Sequence, residues 1–328
     1  MSKPTPKISI LVPVYGAERF IERCAVSLFE QSYPNMEYVF VNDCTRDKSM
    51  EVLQNVAHRY PEREKQLHMI SHEVNRGVGE ARNTLLDAAT GDFILFIDPD
   101  DYVDTNLVER LVQVQTQDDA DVVVYDYQIL RDSGCEKAKA LEPKTPLDYI
   151  LSLLRRDTAA GVLGKMIRLR LFNDNNIRVE GGINIEEDFL IILKAIYCAR
   201  TIATCHGVYY YYDKRNENSI TASLTLARLH DEAWFYNHLH DFFRGKEPII
   251  APTLHRGEIG YFLEYIKLSL ALGKREAYDF VKERILRLQA ESPVHMGLSA
   301  YFMLHASFPV ARYYVCCGRR LKGLLRKL

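Results

Sequence analysis

The chain has 328 residues, enough for one large domain or two smaller ones with a sizeable core each. A composition of 47% hydrophobic and 26% charged residues is that of a soluble globular protein, and a net charge of −2 excludes the basic excess of a nucleic-acid binder. Seven scattered cysteines, an odd number without a Cys-x-x-Cys, exclude a disulfide scaffold and point to reduced thiols in a cytosolic compartment.

Met1–Lys7 lacks the apolar core of a signal peptide. The run from Leu298 to Cys317, broken by His305, Pro309 and Arg312, is the nearest approach to a membrane span. The expectation is a soluble chain, or one peripheral to a membrane.

In chain order, Ile8–Tyr15 reads as a buried strand, followed by a helix to about Gln31 with Phe20, Ile21, Cys24 and Leu28 on one stripe. Tyr38–Val41 is a second strand that ends in Asn42-Asp43. A helix over 48–59 and a short strand at Leu67–Ile70 follow. The loop Asn75–Gly79 opens a helix over 80–89, with Gly91 expected as its left-handed cap. Phe93–Ile97 is then a strand, Asn106–Gln117 a helix and Asp121–Tyr125 a strand. Such alternation predicts a doubly wound, mostly parallel α/β sheet. No Gly-x-Gly-x-x-Gly or Gly-Lys-Ser/Thr loop is present, which disfavours the common dinucleotide and nucleoside-triphosphate folds.

The strand Phe93–Ile97 ends in Asp98-Pro99-Asp100-Asp101, three carboxylates within four positions. In an open α/β sheet ligands bind beyond the carboxyl ends of the strands, so these acids stand where a ligand would be. Together they repel one another unless a cation is present, and Mg²⁺ is commonly held by one or two carboxylates plus substrate phosphates. The plainer alternative is an acidic turn in which Asp100 or Asp104 caps the next helix.

From Ser133 to Pro146 the sequence turns polar and irregular, as in a surface connection. After a helix over 147–155 comes the Asn/Gly-rich loop 173–182, and then Glu186-Glu187-Asp188 at the head of a helix over 189–199. Acids in a first helical turn favour the helix dipole. Three in succession exceed that need and offer a general base. Val208–Tyr212 reads as a strand followed by a polar loop. From about residue 222 helical periodicity takes over, with helices expected over 225–243, 253–272 and 274–288. The expected division is a catalytic domain over 1–222 and a helical region over 223–328. After Glu291 there is no Asp or Glu, while Arg312, Arg319, Arg320, Lys322, Arg326 and Lys327 accumulate around Leu321, Leu324, Leu325 and Leu328. That basic amphipathic end, 312–328, predicts docking on an anionic membrane surface, against the alternative that its leucines pack on the helical bundle or a partner.

With these residues in place, the chain resembles the family 2 glycosyltransferases, inverting enzymes of the GT-A fold. The resemblance runs through about two-thirds of the chain. It includes Ile10–Tyr15, Gln31–Glu37, Asn42-Asp43, Asn75-x-Gly77-x-x-x-Ala81-Arg82-Asn83, Gly91-Asp92-Phe93 and Asp98-x-Asp100. Further along are Lys165, Asn176–Arg178, Glu187-Asp188 and Asn218–Thr221. Two positions depart from the family: Gly16 replaces its usual Asn, and Asn42 the first acid of its Asp-Asp pair.

The resemblance implies a metal-dependent hexosyl- or N-acetylhexosaminyl-transferase that uses a nucleotide-sugar donor, in particular a UDP-sugar. Its acceptor would be a glycan or a lipid-linked hydroxyl in bacterial surface polysaccharide synthesis, at the cytoplasmic face of the inner membrane. It also implies that Pro13, Tyr15 and Asp43 line the nucleotide pocket, with Asp43 accepting from uracil, and that Arg82 lies near the diphosphate or sugar. Asp98, Asp100 and Asp101 would hold ribose and a Mn²⁺ or Mg²⁺ ion. Either Asp188, the favoured residue, or Glu187 would be the general base, and Lys214, Arg215 and Ser219 lie in a loop that can close over the donor phosphates in relatives. The competing readings are a catalytically inactive nucleotide-sugar-binding module of the same fold and, last, a nucleotidyltransferase, whose Gly-rich basic opening loop is missing.

Overall fold

In the computed structural model, which describes residues 5–180, 185–215 and 224–325 (without the side chains of residue 208 and of residues 318–325), the first apolar run forms β1 (Ile8–Val14), buried along its whole length. Burial on both faces is what a parallel strand between two helical layers needs, and each large aliphatic side chain so buried contributes ~1.5–3 kcal/mol. Next come α1 (Ile21–Phe29), β2 (Met36–Asn42), α2 (Ser49–Ala57), the single turn α3 (Pro61–Glu64), β3 (Leu67–Ser71), α4 (Val78–Ala88) and β4 (Phe93–Phe96). The short β5 (Tyr102–Val103), α5 (Leu107–Asp118), β6 (Val122–Arg131), β7 (Gly134–Ala138) and α6 (Pro146–Leu154) follow. A capping box between Thr145 and Asp148, with Pro146 at the first helical position, sets the start of α6. β8 (Lys165–Arg168), α7 (Arg170–Asn173), α8 (Glu187–Tyr197) and β9 (Ile202–Asp213) complete the sheet and its helices.

The strand order is β3-β2-β1-β4-β8-β6-β9-β5, with β7 paired to β6. Pairing is parallel from β3 through β4 and between β6 and β9, and antiparallel where β8 inserts and where β5 meets β9. The α/β fold class is the one expected. The antiparallel insertion of β8 and the hairpin strand β7 were not. β7 is exposed, so no alternation of apolar residues marks it, and the 133–146 connection is partly strand. Another correction concerns Gly91. α4 ends at Ala88, and residue 91 is not left-handed. A Cβ there would lie 2.6 Å from Ser9 Oγ and 2.8 Å from the Lys7 carbonyl, so the glycine serves a close approach to β1.

Beneath that approach, Glu37 faces Ser9 across β2 and β1 and is buried. Its carboxylate accepts from Lys7 Nζ and Ser9 Oγ (2.5 Å each), and from Thr90 N–H and Thr90 Oγ1 (2.6 Å each). Burial opposes its ionisation, but these four donors together hold the Glu37 carboxyl down to about 2.

The chain divides into two compact units, Met1–Ser219 and Ile220–Leu328. In the second, α9 (Leu226–Phe243), α10 (Ile250–Leu272) and α11 (Arg275–Glu291) pack around Phe235, Phe262, Ile266, Tyr278 and Ile285, followed by α12 (Leu298–His305) and α13 (Phe308–Leu325). α12 was not foreseen, because its apolar residues do not fall on one stripe. Two buried acids in this bundle are paired: Glu232 with Arg228 and Tyr265, and Glu258 with His240 and Arg284.

Candidate active site

The parallel register sets the carboxyl ends of β1, β2 and β4 side by side: Val14 pairs Asn42, and Ile97 N–H donates to the Leu11 carbonyl (3.0 Å). Tyr15, Asp43 and Asp98 therefore all emerge at the sheet edge where α/β proteins bind ligands.

After β4 the chain turns, with Asp101 N–H donating to the Asp98 carbonyl (3.1 Å). Asp98 and Asp100 are half-buried. Asp101, expected beside them as a metal ligand, is placed otherwise. It is 1% exposed, and its oxygens accept from Tyr210 Oη (2.5 Å) and Asp213 N–H (2.8 Å). Tyr210 Oη also accepts the Asp98 N–H (3.1 Å), so β9 holds the acidic turn from below. Burial first, then Asp98 and Asp100, hold the Asp101 carboxyl above the usual carboxylate range, which suits a buried structural acid.

Arg82, on the second turn of α4, pairs with Asp98 Oδ1 (3.2 Å) and with Glu187 on α8. Burial and the neighbouring acids Asp100 and Asp188 push Asp98 up, and Arg82 pulls it down. The 36% of its side chain that stays open to solvent limits that upward shift. Glu187 is likewise raised by burial and by Asp188 against the pull of Arg82. The residue motif that contains Arg82 thus delivers a buried cation between two of the expected site acids.

Asp188 is half-buried at the head of α8. Its Oδ2 accepts the Val162 N–H (3.1 Å). The preceding Gly161 has φ +65°, and a Cβ on it would overlap the Asp188 carboxylate. Only glycine allows the backbone so near this acid. Lys165, which the motif order included without a role, is buried beside the same loop and donates to the carbonyls of Ala159 (3.0 Å) and Leu163 (2.8 Å). Burial pushes its ammonium down to about 7 against the opposing pull of Asp188.

At the nucleotide edge Pro13 is buried in β1 and Tyr15 is 56% exposed just beyond it. Asp43 is buried, and its carboxylate is engaged within the protein: Arg76 and Gly77 N–H groups donate to it (2.8 Å each), and His72 Nδ1 lies 2.7 Å away. What Asp43 does directly here is order the loop that opens α4, and through it the helix that carries Arg82.

Beyond β9, Lys214 and Arg215 are exposed. Arg215 is tied to the buried Asp213 by two side-chain contacts of 2.7 and 2.6 Å. Arg23 on α1 reaches the same Asp213 carboxylate (2.9 Å) and the Asp100 carbonyl (2.8 Å), and lies over the Tyr102 ring. Ser219 lies outside the described residues. Arg23, Tyr210, Asp213 and Gly161 carry no site role in the sequence, since no spacing links residue 23 to 213 or 161 to 188.

Among the described residues no three or more His, Cys, Asp and Glu side chains are grouped to hold a metal by themselves. Asp98 and Asp100 are hard oxygen donors of the kind that would suit a Mg²⁺ or Mn²⁺ ion, with the rest of its ligands left to come from outside the protein.

A mixed sheet with its parallel carboxyl ends bordered by acids, and helices on its faces, defines a GT-A-type fold. Residues 9–173 match the family description glycosyl transferase family 2, and the chain belongs to this family. It is 30% identical over 227 residues to the uncharacterized glycosyltransferase EpsJ of Bacillus subtilis, covering 66% of this chain and 63% of that one. With the poly(ribitol-phosphate) beta-N-acetylglucosaminyltransferase TarS of Staphylococcus aureus it shares 26% identity over 220 residues, 66% of this chain and 37% of TarS. The chain thus spans less than two-thirds of the length of these relatives. The crystal structure of S. aureus TarS 1-349 in complex with UDP-GlcNAc superposes with a TM-score of 0.72 at 20% identity, covering 96% of this chain and 92% of that one. The mannosyltransferase PcManGT from Pyrobaculum calidifontis, in complex with GDP-Man and Mn²⁺, gives 0.54 at 19% identity over 98% and 88%. At these identities the likeness is one of fold.

Proposed function

We propose that the chain is an inverting glycosyltransferase that moves a hexosyl or N-acetylhexosaminyl unit from a UDP-sugar to a hydroxyl of a glycan or lipid-linked acceptor in bacterial surface polysaccharide synthesis. The observation that carries this reading is the Arg82 bridge, which ties Asp98 at the end of β4 to Glu187, the neighbour of Asp188. One buried cation so joins the donor side of the site to its acid-base side. The catalytic unit would be residues 1–222, with 223–328 as a helical appendage.

Asp98 and Asp100 would hold a divalent metal ion, which when bound would supply positive charge against the diphosphate leaving group. Pro13 and Tyr15 border the nucleotide, and Asp43 shapes that border by ordering the 75–77 loop. Asp188 takes the proton from the acceptor hydroxyl. That oxygen bonds to the anomeric carbon as the bond to the diphosphate oxygen breaks on the opposite face, so configuration inverts. Glu187 is engaged with Arg82, which leaves Asp188, half-exposed and held by Val162 N–H, as the base. Lys214, Arg215 and Ser219 serve the donor phosphates.

Thermal shift against nucleotides and nucleotide-sugars, each with and without Mn²⁺, tests the donor half of this reading. A rise with UDP or a UDP-sugar that needs the metal is expected. A rise with GDP alone would overturn the UDP assignment, and no rise with any nucleotide would overturn the transferase reading.

A further inference from the structure

The helical unit carries an apolar surface that nothing in the transferase reading uses. Leu298 and Tyr301 on α12 are 90% and 56% exposed, and Tyr313 on α13 is 74% exposed. Phe302, Val310 and Tyr314 are exposed beside them. Leu298, Tyr301, Phe302 and Tyr314 line one open hollow of about 580 Å³. Its walls are tied together: the Phe302 and Tyr314 rings lie 5.0 Å apart, and Tyr314 Oη reaches Ser299 Oγ at 3.2 Å.

This face is distinct from the one that α13 turns to the bundle. Ala311 is fully buried, and Phe308 meets the Tyr278 ring at 5.2 Å. Val310, Tyr313, Tyr314 and Cys317 follow the i, i+3, i+4, i+7 spacing of a second stripe, and the sequence continues that spacing through Leu321, Leu324 and Leu328. A helix with two apolar stripes, one of them against its own bundle, has a second surface to cover.

Charge selects the cover. No Asp or Glu occurs after Glu291, whereas six Lys and Arg do, in a chain whose net charge is −2. Of these, Arg312 lies beside Gly273 at the carboxyl end of α10, and the other five follow from Arg319 onward. Tyrosine, with its apolar ring and polar tip, suits the water–lipid boundary, where positive residues meet anionic headgroups. No helix among the described residues is long and apolar enough to cross a membrane, and amphipathic helices with basic residues on the polar side bind in the plane of an anionic interface. From this combination we infer that the α12–α13 face formed by Leu298, Tyr301, Phe302, Val310, Tyr313 and Tyr314 docks the chain on an anionic lipid surface. The inference does not rest on the transferase reading.

The test is co-sedimentation of the full chain with vesicles of phosphatidylcholine alone and of phosphatidylcholine mixed with phosphatidylglycerol. Binding to the mixed vesicles, weakened by salt, is the expected result. The variant Tyr313→Ser/Tyr314→Ser, with Leu298→Ser and Phe302→Ser in a second variant, should lower the bound fraction about tenfold with an unchanged thermal transition. Equal binding to both vesicles, or equal binding by the serine variants, would overturn the inference. So would a concentration-dependent dimer in sedimentation velocity that the serine variants abolish, without vesicle binding: the face would then be a contact between copies of this chain.

Discussion

The guanidinium of Arg82 and the carboxylate of Glu187 form an ion pair with 6% and 5% of their side chains exposed, across 105 residues of sequence. With Asp98 on its other side, Arg82 fixes the distance between the acidic turn after β4 and the head of α8. Breaking a buried pair by removing one partner costs about 3–5 kcal/mol, because the remaining charge stays buried. Arg82→Met is therefore expected to lower unfolding free energy by that amount in urea titrations. Glu187→Gln, which leaves Arg82 its contact with Asp98, should cost less. If Arg82→Met were as stable as the wild type, the pair would not organise the site.

Gly161→Ala places a methyl group where the Asp188 carboxylate sits. A left-handed non-glycine residue costs about 1–2 kcal/mol. If Asp188 is the base, displacing its carboxylate by about an ångström should lower kcat about 100-fold with little change in donor KM. Steady-state kinetics reads this split, and a donor KM that rose as kcat held would assign Gly161 to the donor instead.

Tyr210→Phe removes the hydroxyl that joins Asp101 to the Asp98 backbone. Leaving a buried carboxyl short of a donor costs about 1–3 kcal/mol. The acidic turn should loosen, so the Mn²⁺ concentration for half-maximal donor binding rises. A titration with unchanged metal dependence would confine Tyr210 to stability.

Glu37 sets an acid limb to stability. Its carboxyl is held at about 2 in the folded chain against an ordinary 4.5, so the folded state binds fewer protons between those values. The stabilisation, roughly 3 kcal/mol at most, is complete above pH 4.5 and is lost as pH falls towards 2. Glu37→Gln should flatten that limb in acid denaturation and lower stability near neutrality. An unchanged acid limb would mean that Lys7, Ser9 and Thr90 do not act on Glu37.

Much of the fold was legible because its strands are buried on both faces: Ile8–Val14, Tyr38–Val41 and Phe93–Phe96 stand out as apolar runs whatever their surroundings. β7 did not, since an exposed hairpin strand such as Gly134–Ala138 takes its stability from pairing with β6. At the site, Asp98, Asp100, Asp188 and Arg82 could be named from motif order, and the structure brings Arg82 to Asp98 and Glu187. Asp101 could not be separated from its neighbours in sequence, because its role depends on Tyr210 and the Asp213 backbone more than 100 residues on. Asp43 shows the same limit: its acceptors are taken by backbone N–H groups of residues 76 and 77, which no side-chain motif records. Charged partners chosen by tertiary contact, like Arg23 with Asp213, leave no periodic trace.

The central claim is that Asp188 is the base of a UDP-sugar transferase. Its most direct test compares wild type with Asp188→Asn in one preparation, measuring UDP-sugar affinity by calorimetry in Mn²⁺ and sugar transfer in single turnover. The account predicts donor affinities alike and transfer lost in the variant, because only the proton acceptor has been removed. Transfer at the wild-type rate by Asp188→Asn, or a matching loss of donor affinity, would contradict it.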